Sequence, residues 1–284
     1  MSYSSGGSRN MAKALNEFER FLQDEVAKYK GVMMPIKAGF LERIFKKKEK
    51  GENFHPNPDD EFTWSEIGPN YSIINDYHSL FVRARTMTPY VGSEALMVEK
   101  IHPSGYLILN GHHRWAAGMR AGFKKMPISI VNLTQETDIK KMIQNSKHDK
   151  RVTLDLDEVI FCRKEKDVPE KRLSFPFNKM YKERIRLGIS ALLHLFAKEG
   201  YDVWIYSWNY YSMEYIKAFF HKYHVNVDGI ITGTKRKEKG HSEAMRRTRE
   251  LFEGHYKETI HIDRYTVTRT FTGTKNFEEY PIAS

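Results

Sequence analysis

A single cysteine, Cys162, stands among 284 residues. One cysteine can neither close an internal disulfide nor build a cysteine metal site. Long apolar runs are missing as well: even the hydrophobic stretch VTLDLDEVIF is too short and too charged to span a bilayer. The opening MSYSSGGSRN lacks the apolar segment of a secretory signal. Residues 1–10 therefore read as a flexible tail, and a cytoplasmic location without membrane contact is expected. Nothing repeats at solenoid length. Acidic side chains are in deficit, 36 Asp and Glu against 46 Lys and Arg, a formal net charge of +10. Such an excess draws polyanions and phosphorylated ligands, nucleic acid among them, without choosing between them. A generically basic protein is the plain alternative. What remains is ordinary: 40% hydrophobic and 29% charged residues, with length enough for one large domain or two of common size.

Residues 11–30 carry Leu15, Phe18, Leu22 and Val26 at helical spacing. Residues 36–50 read as a second helix ending in KKKEK, and residues 51–72, with Gly51, Pro56, Pro58 and Gly68, as a long structured loop. From residue 96 the pattern sharpens. LMVEKI and YLIL read as strands around an HPSG turn, NGHHRWAAGMRAG as a helix, MPISIVNL as a strand, and 135–148 as a polar helix or linker. A second unit begins near Arg151. There the strands RVTLDL, DVWIYS, VDGIIT and ETIHID alternate with helices in ERIRLGISALLHLFAKEG, MEYIKAFFHKY and residues 240–253. Such alternation points to a parallel sheet covered on both faces.

The first of those strands ends in Asp155 and Asp157, one residue apart. Parallel sheets bind ligands at the carboxyl ends of their strands. While the strand stays extended, positions i and i+2 project to the same side. Two carboxylates together suit a hard divalent cation; one can attack phosphorus and the other can carry a proton. The plain alternative is that both cap a turn.

Further along, Ser207 ends a strand, Lys239 starts a helix and Asp263 ends another strand. This order of aspartate pair, serine, lysine and aspartate over about residues 150–272 resembles the haloacid dehalogenase superfamily of phosphatases and phosphotransferases. The resemblance implies a Rossmann-like fold with a parallel sheet. Asp155 would form an aspartyl-phosphate, and Asp157 would act as general acid/base. Ser207 would bond the transferring phosphoryl group, and Lys239 would offset its charge. Asp155, Asp157 (through its backbone carbonyl) and Asp263 would hold Mg2+. Two departures stand out. Arg264 follows Asp263 where the family has a second acid, and Lys235 and Lys237 crowd Lys239. Only 31 residues separate Ser207 from Lys239, so no large cap is expected and the site should be open to water.

In the first unit, YLILNGHHRWAAGMRAG joins a strand to a helix through a glycine turn rich in basic side chains. Helix-start amides and the positive dipole end make such a turn an anion site. Gly111 lets a phosphate approach the backbone, Arg114 can grip it bidentately, and Asn110 can cap the helix. A plain strand-to-helix turn with exposed histidines is the alternative. The segment resembles the ParB/sulfiredoxin fold, in the Gly-His-His-Arg form of ParB-like serine kinases. That implies a smaller α+β domain binding a nucleotide (ATP or ADP) or a phosphorylated ligand through Gly111, His112, His113 and Arg114. Glu61 would be the acid of a kinase. His112 occupies the place of the sulfiredoxin cysteine, which argues against peroxiredoxin repair. The lack of a helix-turn-helix pattern argues against chromosome partition.

The sequence thus reads as a flexible tail (1–10), a ParB/sulfiredoxin-like domain (11–148) and a haloacid dehalogenase-like domain (150–284). The expected activity is Mg2+-dependent phosphoryl transfer or phosphomonoester hydrolysis on a phosphorylated small molecule or nucleotide. A serine-type small-molecule kinase, or a nucleic-acid-binding protein with polynucleotide phosphatase activity, is the alternative.

Overall fold

A computed structural model describes residues 17–25, 27, 34–45, 47–85, 95–163, 167–233, 241–274 and 277–282, those at 241–245 and 277 by backbone alone. The chain divides into two compact units, Met1–Asn132 and Leu133–Ser284.

In chain order the first unit comprises α1 (residues 17–25), β1 (Met34–Pro35), α2 (Phe40–Ile44), β2 (Lys47–Lys50), a 3-10 turn (Gly51–Asn53) and β3 (Phe54–His55). A second 3-10 turn (Glu61–Thr63) follows, then α3 (Tyr71–Ala84), β4 (Leu96–His102), β5 (Tyr106–Asn110), α4 (His112–Arg120) and β6 (Lys125–Ile130). The strands form one mixed sheet in the order β2-β6-β4-β5-β3, with β1 antiparallel to β4. Its core gathers Leu22 of α1, Ile74 and Phe81 of α3 and Trp115 of α4 over Leu96, Val98, Ile108 and Ile128 of the sheet.

Leu22 and Phe18 meet the core as their helical spacing requires, whereas Leu15 and Val26 lie outside the described residues. The helix expected over 36–50 is not formed. Residues 40–44 make a short helix, and the lysine run is strand β2, pairing antiparallel with β6. The alternating burial of Lys47–Lys50 is the period of a strand, and Lys47 Nζ bonds the Tyr106 hydroxyl at 2.7 Å. Helix α3 went unread in the sequence. Its start is nonetheless chemically marked: Asn70 Oδ1 accepts from the amides of Ser72 and Ile73.

The second unit comprises α5 (Glu136–Gln144), β7 (Lys150–Asp155), a π-type turn (Leu156–Ile160), α6 (Phe177–Met180), α7 (Ile189–Lys198) and β8 (Asp202–Tyr206). Next come α8 (Met213–Lys222), β9 (Gly229–Ile231), α9 (His241–Glu253), β10 (Glu258–Ile262), β11 (Thr266–Phe271) and β12 (Phe277–Pro281). The sheet order is β12-β11-β10-β7-β8-β9. The four expected strands are parallel, in the order β10-β7-β8-β9. The antiparallel β11 and β12 extend the sheet beyond β10 and were not anticipated.

Alternate residues of β8 serve opposite faces. Val203 and Ile205 pack with Leu193 of α7 and with Ile216, Phe219 and Phe220 of α8. Trp204 packs with Ile139 and Ile143 of α5 and with Phe252 and Tyr256. That second cluster explains why the units divide after Asn132 and not near residue 149: α5, the polar helix or linker expected to close the first domain, buries its apolar stripe on the second sheet. Helix α7 is shorter than expected. Gly188, at φ 88°, starts it late, and Ile185 and Arg186 instead bridge Phe161 and Pro169.

Trp204 also sets a steric limit. It is fully buried, lies edge-on to Phe252 at 4.7 Å, and donates from Nε1 to the Tyr256 hydroxyl at 2.9 Å. A Cβ at Gly229 would stand 2.1 Å from its ring. Gly229→Ala should therefore cost about 1–3 kcal/mol or more by overpacking, read as a lower urea midpoint of the second unit. A midpoint equal to wild type would show that the indole has room to shift.

Candidate functional site

In the second unit, β7 is the switch point of the parallel sheet: the chain runs outward through β8 and β9, then returns to β7's other side as β10. The crevice at the carboxyl ends of strands so arranged is where open α/β sheets bind ligands. Asp155 ends β7, and Ser207 and Asp263 each follow the last residue of β8 and β10. The expected residues therefore share one edge. Lys239, like Lys235 and Lys237, lies outside the described residues.

The aspartates are not related as adjacent strand positions. The strand stops at Asp155 and the chain enters the π-type turn, so the i, i+2 rule does not place Asp157. The Asp155 carboxylate caps that turn instead. Oδ1 accepts from the amides of Asp157 and Glu158, both at 2.7 Å, and Oδ2 accepts the indole N–H of Trp208 at 2.5 Å. Turn-capping and a strand-end carboxylate are here the same thing.

Asp157 is 4% exposed and enclosed by donors. Its Oδ2 takes the Ser207 hydroxyl (2.8 Å), the Trp208 amide (2.9 Å) and the Asn209 amide (3.4 Å). Its Oδ1 takes the Asn209 side-chain amide (2.7 Å) and the Arg163 guanidinium. Ser207 thus points at Asp157 in this arrangement. Trp208, Asn209 and Arg163 were missed in the sequence. The first two sit directly after Ser207, where proximity to a strand-end motif was the available signal; Arg163 carried none.

Asp263 Oδ1 accepts from the amides of Tyr265 (2.8 Å) and Thr266 (3.4 Å), tightening the β10–β11 turn. Among the described residues no group of three or more His, Cys, Asp or Glu side chains is arranged to hold a metal. The donor chemistry still suits a hard cation: Asp155 and Asp263 offer oxygen only, at neighbouring strand ends. His261 of β10 senses both charges. Burial lowers its pKa, and both Asp263 and Asp155 oppose that shift.

In the first unit, Gly111 is the N-cap of α4 at φ 106°, a conformation that favours glycine. A Cβ there would stand 2.8 Å from Leu96 Cδ2 and 2.9 Å from the Arg114 guanidinium. Asn110 does not cap the helix: it ends β5, and no side chain caps α4. The α4 start is therefore an uncapped helix end against which Arg114, 7% exposed, folds back.

Both histidines accept backbone amides of the preceding loop. His112 Nε2 accepts the Asn57 amide at 3.1 Å, and His113 Nε2 accepts the Asn70 amide at 3.0 Å. Phe62 stacks on His112 at 5.4 Å and meets His113 edge-on at 5.1 Å. The pair staples the 57–70 loop to α4. That brings the 3-10 turn bearing Glu61 alongside, with Asp60 Oδ1 3.6 Å from His112 Nδ1.

An acceptor Nε2 requires a neutral ring. Burial pushes His112 down to about 4, with Asp60 opposing and His113 adding to the shift; burial lowers His113 too. The unfolded chain, titrating near 6.5, binds its proton first as the pH falls. Stability from His112 is therefore complete above about 6.5 and is lost progressively down to about 4, on the order of 3 kcal/mol in all. His112→Gln keeps an acceptor without the titration. Urea melts across this window should show a shallower pH slope for the variant; equal slopes would mean that His112 is charged in the fold.

The model of the ParB N-terminal domain family matches residues 92–147. Two solved structures of the C-terminally truncated chromosome-partitioning protein ParB from Caulobacter crescentus are also similar. The complex with CTP-gamma-S is 20% identical over 37% of this chain and 56% of that one, with a TM-score of 0.26. The complex with the centromeric parS site is 21% identical over 35% and 46%, with a TM-score of 0.23. The chain thus spans about half the length of those proteins. No curated protein matches it. The matched segment runs from before β4 to beyond α5 and has the Gly111–Arg114 turn near its middle: the chain carries a ParB-like domain.

Proposed function

We propose that the second unit is a magnesium-dependent phosphotransferase or phosphomonoesterase of the haloacid dehalogenase type, with Asp155 as nucleophile. The observation that carries this reading is the placement of Asp155 at the switch point of the parallel sheet, one edge shared with Asp157, Ser207 and Asp263. Asp155 attacks phosphorus, the ester P–O bond breaks, and the leaving oxygen takes a proton from Asp157. Asp157 then takes a proton from water, whose oxygen attacks the aspartyl-phosphate and releases inorganic phosphate. Mg2+, held by Asp155, the Asp157 carbonyl and Asp263, would supply charge that screens the carboxylate from the incoming phosphate. Arg163, half exposed, leaves Asp157 when the phosphate enters. Ser207 and Asn209 then turn their donors from Asp157 to the phosphoryl oxygens.

A second, separate reading concerns the first unit. The uncapped α4 start, the glycine at φ 106° and the folded-back Arg114 support binding of a nucleotide phosphate there. The ParB family match over the same turn favours it.

Two measurements test these readings. With Mg2+ and a panel of phosphoesters, Asp155→Asn should lower phosphate release at least ~10³-fold; release unchanged in the variant would remove Asp155 as nucleophile. In equilibrium dialysis with ATP, ADP and CTP, Arg114→Lys keeps the charge but loses the planar fork. It should weaken binding by roughly tenfold or more; wild-type affinity in the variant would place the nucleotide elsewhere.

A further inference from the structure

The reacting end of the second unit carries a large aromatic side chain that is only half buried. Trp208 is 53% exposed, so it does little for the core. Yet it is held at two points: its amide donates to Asp157 Oδ2 and its indole N–H to Asp155 Oδ2. A large ring is thus fixed beside the nucleophile with much of its surface open to solvent. Across β7, the turn after β10 presents Tyr265, 60% exposed. Its amide is fixed by Asp263, and Arg264 lies 5.0 Å from its ring centroid. Strands β8 and β10 flank β7 on opposite sides, so these residues leave the sheet on either side of Asp155. The Arg163 guanidinium bonds Asp157 on the same strand-end side.

We propose that Trp208 is a stacking platform for the base of a nucleotide whose phosphate reacts at Asp155, either a free nucleotide or the phosphorylated end of a nucleic acid strand. This inference rests on the reading of Asp155 as the phosphate-reacting centre. Every nucleobase has a π-face, and stacking on an aromatic side chain is sequence-tolerant. A platform fixed before binding loses little freedom on complexation. The indole is anchored at the nitrogen of its five-membered ring, so its six-membered ring lies farther from Asp155. A sugar between phosphate and base spans such a gap; an aryl phosphate, whose ring is bonded directly to the ester oxygen, does not. The guanidinium groups and the net charge of +10 suit the further phosphates of a strand.

Methylenephosphonate analogues, which cannot be hydrolysed, separate this inference from the catalytic one. Affinities for adenosine and thymidine 5′-methylenephosphonate, the ribose analogue without a base, a benzylphosphonate and a 5′-phosphonate-ended oligonucleotide would be measured on the full chain with Mg2+. The base-bearing ligands should bind about tenfold or more tighter than the ribose analogue. That preference should persist in Trp208→Phe, which keeps a ring but loses the N–H, and vanish in Trp208→Ala. Tighter binding of the oligonucleotide than of the mononucleotides, falling steeply with salt, would assign the strand end as source; equal binding would assign the free nucleotide. No preference for a base, a preference for benzylphosphonate, or a preference that survives in Trp208→Ala would overturn the platform. Base-dependent binding in a protein that releases no phosphate from any ester would retain the platform and remove the hydrolase.

Discussion

Two backbone amides closing on one carboxylate oxygen organise the second unit's reacting end. Asp155 Oδ1 holds the amides of Asp157 and Glu158 at 2.7 Å each, and this ends β7 as a strand and begins the turn that follows. Without it, Asp157 would have no fixed place opposite Ser207, Trp208 and Asn209. The bond also orients Asp155: with Oδ1 committed to the turn, Oδ2 is the oxygen facing the indole and the crevice. A buried carboxylate satisfied by backbone donors costs far less than a bare one, which lets a charged group sit 8% exposed at the end of an apolar strand.

The first unit solves a comparable problem with imidazoles. A loop rich in acids and turns must be held against a helix start that no side chain caps. Two neighbouring histidines, projecting from the first turn of α4, accept the amides of Asn57 and Asn70 and clamp Phe62 between themselves and the core. Of the turn's three basic residues, two are used as neutral acceptors, and the Arg114 guanidinium folds toward Gly111.

Much of this was legible in the residues, and the failures have physical causes. Short β-branched runs such as VTLD and DVWIY can bury both faces, so the four parallel strands and their carboxyl ends were readable. The lysine strand β2 was read as helix because its composition favours helix while its pairing with β6 is a long-range fact. Helix α5 looked polar because only Ile139 and Ile143 are buried, and the sheet they cover begins after it in sequence. Gly111 was readable as a special backbone position. The roles of His112 and His113 were not, since their partners stand 55 and 43 residues away. Asn209 stands 52 residues from the Asp157 it bonds, marked only by its place after Ser207, and Arg163, six residues away, carried no signal.

The hairpin beyond β10 has a consequence for the company this protein keeps. A parallel sheet that stopped at β10 would offer that strand's free amides and carbonyls to any extended chain. The added strands move the boundary outward to β12, where Glu278, Glu279 and Tyr280 are exposed and Pro281 lacks an N–H. Exposed charged side chains and a proline on this outermost described strand disfavour edge-to-edge pairing there. On the β12 side the sheet therefore ends in a border that another strand extends less readily.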